Sequence, residues 1–132
     1  VATVANRRLG LSVCYDLRFP ELYQHLRVQE AEMITVPSAF TYNTGEAHWE
    51  VLLKARAIET QCFILAANQC GEHISAKTGV TRSTWGHSMI IDPWGRVLTS
   101  LKHSTGVCSA ELDFQEMNKV RHSMDLFSHK QL

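Results

Sequence analysis

This sequence of 132 residues has no excess of charge of one sign, because 13 Lys and Arg balance 13 Asp and Glu and the formal net charge at pH 7 is zero. A balanced chain offers no long-range field for DNA, RNA or an anionic membrane surface. Long hydrophobic runs are also missing. The longest, residues 63–67 preceded by Cys62, is far shorter than the roughly 20 residues that cross a bilayer. The sequence therefore predicts neither a nucleic-acid-binding protein nor a membrane-spanning one.

The sequence also lacks a secretory signal, a disulfide framework and a zinc-binding motif. The first residues carry basic side chains after apolar ones, which reverses the order of a secretory signal. The four cysteines lack the dense spacing of a disulfide framework, and no pair has the short gap of a zinc site: Cys14, Cys62, Cys70 and Cys108. We therefore expect reduced thiols, no metal and a cytoplasmic location.

The first half of the chain does contain an alternation of β and α patterns. Residues 9–14 form a short apolar run that breaks sharply before Pro20 opens an amphipathic segment, which predicts a strand, a tight turn and a helix. Residues 33–37 predict a buried strand, helical spacing starts at Glu46, and residues 62–68 are apolar on both faces, as in a central covered strand. The β-α-β-α-β order indicates an α/β fold with a sheet flanked by helices.

The remaining segments are expected to be less regular. Residues 38–45 and 71–84 are polar and predict surface loops. Residues 88–99 predict a β-hairpin, because their central Asp-Pro-Trp-Gly has proline second and glycine fourth, as a type I turn favours. A further strand is expected at 106–112, followed by a short helix capped by Asp113.

Cys14 is the candidate nucleophile by position. A cysteine at the end of a buried strand and just before a helix is held on a tight turn that projects its sulfur. The N-terminal end of the following helix favours the thiolate, which is the reactive form. The alternative is that Cys14 is a small buried apolar residue, as many cysteines in such runs are.

The residues around Cys14 narrow these alternatives. The segment Leu-Ser-Val-Cys-Tyr-Asp-Leu-Arg-Phe-Pro-Glu closely resembles the nucleophile segment of the nitrilase superfamily of carbon–nitrogen hydrolases. Further blocks resemble that family in the same order, at residues 37–40, 48–59, 67–71 and 86–95. Within the superfamily the amino-acid sequence of these segments is most similar to the branch of deaminated glutathione amidases and ω-amidases.

This resemblance implies the fold and the chemistry. Members of the family are four-layer αββα sandwiches, and this chain corresponds to the C-terminal half. They hydrolyse nonpeptide amides or nitriles with a Glu-Lys-Cys triad and use no metal or organic cofactor. By resemblance Cys14 attacks a small ω-amide to form a thioester, and the backbone N–H of Tyr15 stabilises the oxyanion. The family dimerises, which implies a homodimer through the helices that start at Pro20 and Glu46.

The sequence departs from the family at the other two triad positions. The Glu and the Lys of the triad lie upstream of the cysteine in the family, whereas the 13 residues before Cys14 include neither type. We therefore expect residues 1–132 to form a partial carbon–nitrogen hydrolase domain that is inactive alone and belongs to a longer enzyme.

Four charged residues downstream were weighed as replacements for the missing pair. Glu21 falls in the first turn of a predicted helix, where the helix dipole stabilises a carboxylate. Glu50 and Lys54 have the i,i+4 spacing of a solvated ion pair. Glu59 completes the set, and the structural interpretation is favoured for these residues.

The substrate-binding candidates lie in the turn and the loop beside the nucleophile. Arg18 offers a bidentate donor to a substrate carboxylate, or it pairs with Asp16 or Glu21. Because α/β folds place ligands beyond the carboxyl ends of their strands, the loop after residue 37 supplies candidates that line the pocket. These are Phe40, Thr41 and Tyr42.

Three functional hypotheses remain. The first is the amidase half described above, which requires the Glu and the Lys from sequence upstream. The second is a noncatalytic remnant that keeps the fold and the association surface. The third is a complete Cys-His thiol enzyme, for which His48 and His87 are the candidates; each is more simply a hydrogen-bonded structural residue.

Overall fold

The computed structural model describes residues 1–131, and its centre is a six-stranded mixed sheet. In chain order the strands are β1 (Ala2–Val4), β2 (Arg7–Leu11), β3 (Met33–Thr35), β4 (Phe63–Ala66), β5 (Cys70–Ile74), β6 (Thr81–Trp85), β7 (Met89–Ile91) and β8 (Val97–Ser100). The large sheet has the order β1-β2-β3-β4-β7-β8, in which β2, β3 and β4 are parallel and the other neighbours are antiparallel. The expected β-α-β-α-β order is confirmed, and its three strands are parallel.

In the described part of the chain, residues 1–131, four α-helices accompany the sheet: α1 (Pro20–Val28), α2 (Tyr42–Thr44), α3 (Glu50–Thr60) and α4 (Phe114–Ser123). A 3-10 turn covers Cys14–Arg18, and a π-helical turn, Gly45–Trp49, joins α2 to α3. The helix expected from Glu46 therefore forms, but the helical segment already starts at Tyr42. The loop predicted at 38–45 is wrong for residues 42–45. Among residues 1–131 no helix has the length and apolarity needed to span a membrane.

One face of the large sheet packs against α1 and α3. The apolar side chains at this interface are fully buried, including Leu17, Tyr23, Ile34, Leu53 and Ile64. Gly10 on β2 permits the close approach of α1, because a Cβ there would lie 3.1 Å from both Ile34 and Leu26. This tight packing fixes α1, and therefore the turn that precedes it, against the end of β2.

The opposite face of the sheet is covered only at one end. There α4 packs Met117 against Met33 and Phe63, with Phe114 beside them. Leu65 packs against this cluster, is half-buried and lines an open groove of about 560 Å³. The expectation that both faces of the central strand are covered is therefore correct for one face and, on the other, correct at Phe63 but only in part at Leu65.

The second half of the chain divides into correct and incorrect predictions. The hairpin at β7–β8 is confirmed, with Gly95 N–H donating to the Asp92 carbonyl at 2.9 Å. Asp113 caps α4, since its carboxylate accepts the Gln115 and Glu116 N–H groups. The predicted loop at 71–84 is instead the ribbon β5–β6, a separate two-stranded sheet that leaves most of its surface in solvent and is bridged to Thr41 through Thr84.

The strand predicted at 106–112 does not form. Its residues are irregular, and Val107 is 92% exposed. Within residues 1–131 this segment pairs with no strand. Gly106, Val107 and Cys108 instead line the open groove on the face of the large sheet, beside Leu65 and Ile90.

Candidate active site

The end of β2 and the 3-10 turn hold Cys14 in a constrained backbone conformation. Cys14 has a φ of +46°, in the left-handed region that costs a non-glycine residue about 1–3 kcal/mol. Its N–H donates to the Pro37 carbonyl at 2.8 Å, which ties it to the residues after β3. The Asp16 N–H donates to the Val13 carbonyl at 3.0 Å, and the Asp16 carboxylate accepts the Val13 N–H at 2.9 Å. The order of strand, sharp turn and helix expected around Cys14 is confirmed, but the strand ends at Leu11 and is buried only at Gly10.

Cys14 lines an open groove of about 590 Å³ beyond the carboxyl ends of β2, β3 and β4. Ligands of α/β sheets bind at this edge, where the loops after parallel strands converge. The walls combine apolar atoms with a few polar groups, and the lining residues are Val13, Cys14, Pro37, Ser38, Ala39, Ala67, Asn68, Gln69 and Ser88.

Asn68 organises the floor of this groove, and sequence reasoning did not single it out. Its side chain accepts the Phe40 N–H at 3.0 Å and donates to the Gly86 carbonyl at 2.6 Å. Its backbone N–H donates to the Ser88 hydroxyl at 2.9 Å. Asn68 thereby connects three loops. The available signal was a polar residue directly after the apolar strand at 62–68, at the edge where functional groups collect.

The backbone N–H of Tyr15 lies one residue beyond Cys14, at the start of the 3-10 turn. Such first-turn N–H groups have no partner inside the helix. In residues 1–131 no acceptor takes this N–H. The Tyr15 ring extends away into solvent and contacts the Phe19 ring at 5.8 Å. A hydrogen-bond donor is therefore available next to the sulfur.

The groove that contains Cys14 supplies neither a base nor an ammonium from residues 1–131, because its lining includes no Asp, Glu, His, Lys or Arg. Glu50 and Lys54 form the expected i,i+4 ion pair at 2.6 Å on α3. Glu59 pairs with Arg56 at 3.0 Å. Burial raises the pKa of Glu59, against the lowering effect of the Arg56 charge. Glu21 lies in the first turn of α1, as predicted.

The two histidines lie outside the groove too. His48 Nδ1 is 3.4 Å from Arg18 Nη1, at the limit of a hydrogen bond. His87 stacks on the Trp85 ring, with centroids 4.2 Å apart, and its Nδ1 is 3.0 Å from the Trp85 carbonyl oxygen. Neither arrangement pairs an imidazole with Cys14, so the Cys-His enzyme has no geometric support.

Arg18 has no carboxylate partner within residues 1–131. Neither Asp16 nor Glu21 forms an ion pair with it, although both were alternatives from the sequence. Its guanidinium carbon instead lies 5.5 Å from the centre of the Tyr15 ring and 5.4 Å from that of Phe40. The guanidinium therefore lies against aromatic rings beside the Cys14–Arg18 turn, with Nη1 near His48 Nδ1.

The loop candidates lie away from the groove. Phe40 is buried in the core against Trp49, with ring centroids 4.9 Å apart. The Thr41 hydroxyl hydrogen-bonds that of Thr44 at 2.8 Å on the exposed side of the loop. The Tyr42 ring packs against Trp85 at 5.0 Å. A role for these residues in substrate binding stays a prediction without a contact in this groove.

The other cysteines occupy different surroundings. Cys62 is fully buried, its thiol donates to the Ala31 carbonyl at 3.1 Å, and burial raises its pKa. Cys62 comes immediately before β4, not within it, and Cys108 lies in the irregular 106–112 segment, so the expectation that both sit inside strands is wrong. All four thiols are free.

A thiol on a constrained turn, beyond the carboxyl ends of three parallel strands, has the placement that strand-turn-helix hydrolases give their nucleophile. The carbon–nitrogen hydrolase family model matches residues 1–122, and the chain belongs to this family. The nitrilase resemblance is thus confirmed.

Individual relatives are consistent with the family. The chain is 49% identical to the deaminated glutathione amidase of Yersinia enterocolitica, over 98% of this chain and 43% of the relative. It superposes on the C. elegans NitFhit protein with a TM-score of 0.88 and 48% identity, over 96% of this chain and 29% of that one. A Nesterenkonia sp. AN1 amidase variant, with the acetamide moiety of fluoroacetamide added covalently at its active site cysteine, matches at 31% identity and a TM-score of 0.69, over 80% of this chain and 38% of that one. The chain therefore spans less than half the length of each.

Proposed function

We propose that this chain provides the nucleophile-bearing part of an amidase that hydrolyses a small ω-amide of the deaminated glutathione type, and that Cys14 is the nucleophile. The observation that carries the proposal is the position of Cys14, on a left-handed turn at the edge of a groove beyond three parallel strands. The amidase relatives, one of them modified at its active site cysteine, support the same assignment.

The proposed reaction has two balanced steps. The Cys14 thiolate attacks the amide carbonyl carbon, the carbon–nitrogen bond breaks, and the nitrogen takes a proton and leaves as ammonia, which gives a thioester. Water then adds to the thioester and releases the carboxylic acid and the thiol. The Tyr15 N–H donates to the oxyanion of each tetrahedral intermediate, where such a donor stabilises developing charge.

The proton acceptor and the second oxyanion donor come, in this proposal, from a Glu and a Lys in another part of the family fold. The lining of the Cys14 groove supports this division, because it has no acidic or basic side chain from residues 1–131. We further propose that residues 1–132 are the C-terminal half of a four-layer αββα sandwich. The second sheet would cover the open face of the large sheet, on which Leu65 and Ile90 are half-buried.

Arg18 is proposed as the residue that recognises the substrate carboxylate. Its guanidinium lies on the same 3-10 turn as Cys14 and has no carboxylate partner in residues 1–131. A planar fork of donors binds a carboxylate with two parallel hydrogen bonds. Arg18→Lys in the complete enzyme tests this role: KM for the ω-amide acid should rise more than KM for an uncharged amide, and equal changes would contradict it.

Association through α1 and α3 is the proposed quaternary contact. The outward faces of these helices carry exposed apolar side chains: Val28, Val51 and Ile58. A second copy that covers them would remove apolar area from water. Light scattering measures the mass in solution, and a strict monomer at high concentration would rule this contact out.

The amidase proposal is tested by ammonia release from an ω-amide acid. The isolated chain should match a Cys14→Ala variant, because the loss of one oxyanion donor costs about 10²- to 10³-fold and the loss of the base about 10²- to 10⁴-fold. Addition of the Glu- and Lys-bearing part of a family member, in trans or as a fusion, should restore ammonia release.

Cys70→Ala is the matched control, since it changes another half-buried thiol and should keep the restored activity. Enzyme-like, Cys14-dependent turnover by the isolated chain would show that residues 1–132 contain their own base. A complemented protein that folds but stays inactive would favour the noncatalytic remnant, whose specific support is the uncharged groove.

A further inference from the structure

We propose that Arg56 is a positioning residue for Cys14, which it serves by holding the carbonyl of Leu17 at the end of the nucleophile turn. This inference rests on the proposed role of Cys14 and names a further residue on which that role depends. Arg56 lies on α3, 39 residues from the carbonyl that it contacts.

The contact is bidentate and buried. Arg56 Nε and Nη2 both donate to the Leu17 carbonyl oxygen, at 3.0 Å and 2.8 Å. Arg56 is only 5% exposed, and its remaining nitrogen, Nη1, donates to Glu59 Oε1 at 3.0 Å. A buried guanidinium is costly unless its donors are satisfied, so its geometry is fixed by these two partners.

The Leu17 carbonyl needs this partner because of the next helix. In a 3-10 turn the carbonyl of residue 17 would accept the N–H of residue 20, but residue 20 is Pro20, which has none. No backbone N–H elsewhere in residues 1–131 takes its place. The two nitrogens of Arg56 supply the hydrogen bonds that the proline cannot.

The nucleophile turn is therefore anchored at both ends. At its start the Cys14 N–H donates to the Pro37 carbonyl, and at its end the Leu17 carbonyl accepts from Arg56. A left-handed conformation at a cysteine persists only where the surroundings impose it. Without the second anchor the turn can relax, and the sulfur loses the position that the left-handed conformation of Cys14 gives it.

The alternative is that Arg56 only stabilises the core, where it also lies 5.4 Å from the centre of the Tyr23 ring. The two roles differ in what a substitution changes. Loss of a core residue lowers the free energy of unfolding and leaves the chemistry of Cys14 in the folded state unaltered. Loss of a positioning residue changes the pH–rate profile of Cys14 in protein that is still folded.

The test is the rate of iodoacetamide labelling at Cys14 across pH, followed by peptide mass mapping, with Cys70 as the internal reference. Arg56→Lys keeps the charge but cannot donate twice to one carbonyl in a plane. It should slow Cys14 labelling relative to Cys70 at neutral pH by about tenfold. Arg121→Lys is the matched control, since Arg121 also donates to two backbone carbonyls but lies away from the Cys14 turn, and this variant should keep the wild-type profile.

Pro20→Ala in the Arg56→Lys background supplies the missing N–H at residue 20 and should return the profile towards wild type. A folded Arg56→Lys protein with an unchanged Cys14 profile would overturn the inference. Failure of both Arg56 proteins to fold, with or without Pro20→Ala, would also overturn it and leave Arg56 a core residue. If Cys14 in the wild-type protein labels no faster than Cys70, the proposed nucleophile is at fault instead.

Discussion

Cys14 lies beyond the carboxyl end of β2, whereas Cys62 lies just before the amino end of β4 in the same sheet. Cys14 is half-buried at the edge of an open groove, on a left-handed turn. Cys62 is fully buried, donates to the Ala31 carbonyl, and lies 3.4 Å from Arg121 of α4. Both cysteines border short apolar segments, yet Cys14 lines an open groove and Cys62 does not.

The difference shows which end of the sheet is open. At the amino end of β4, Arg121 donates to the Gln61 and Ala31 carbonyls and closes the structure over the thiol of Cys62. At the carboxyl ends the strands terminate in loops, and the groove forms between them. Burial raises the pKa of the Cys62 thiol, so the closed end holds an inert thiol.

The sharpest way to separate the two thiols is to destabilise the core between them. Leu53 on α3 is fully buried, and Leu53→Ala should lower the free energy of unfolding by about 2–5 kcal/mol. Because Cys62 reacts only when the structure opens, its labelling should accelerate at least about 30-fold, while Cys14 changes little. Val80→Ala, at an exposed position outside the helices, is the control and should leave both rates unaltered. Parallel acceleration of both thiols would mean that Cys14 is closed as well.

A smaller effect on the free energy of unfolding is expected from Tyr23, on α1. The Tyr23 hydroxyl is 2.8 Å from the Ser12 hydroxyl, and burial raises the pKa of Tyr23 to about 12. The folded pKa exceeds the unfolded value of about 10, so the neutral Tyr23 contributes to the free energy of unfolding. This contribution is fully present below pH 10. It is lost as the pH rises from about 10 through 12, by up to about 2–3 kcal/mol.

Tyr23→Phe should therefore flatten the loss of stability at alkaline pH. At neutral pH the variant should be less stable by about 1 kcal/mol through the lost hydrogen bond. Denaturant unfolding at neutral and alkaline pH measures both values. Tyr15→Phe, at an exposed ring, is the control that should follow the wild-type curve. If Tyr23→Phe also follows that curve, then Tyr23 does not titrate in the way its burial indicates.

Local patterns were sufficient for much of the fold. The strands at β3 and β4, the helix that starts at Pro20, the β7–β8 hairpin and the Asp113 cap were all predicted, because each depends on residues close together in sequence. The ribbon β5–β6 and the unpaired 106–112 segment were not. Whether such a segment forms a strand depends on the partner that the folded sheet leaves available.

The candidate site divides in the same way. Its nucleophile turn was predictable from a contiguous segment around Cys14. The roles of Asn68 and Arg56 were not, because each depends on side-chain contacts with backbone groups 18 to 39 residues away. Phe40 was placed in the pocket because of its loop, but its ring turned inward to the core cluster. The cytoplasmic location stays a prediction from the sequence.

The most direct test of the nucleophile assignment is competitive labelling of the native chain with limiting iodoacetamide. Cys14 should react first, and on the order of 10³-fold faster than Cys62, since a core thiol is reached only through opening reactions that cost several kcal/mol. Peptide mass mapping at early times measures all four cysteines together. Faster native labelling of Cys62 or Cys108 than of Cys14 would contradict the assignment and remove its physical basis.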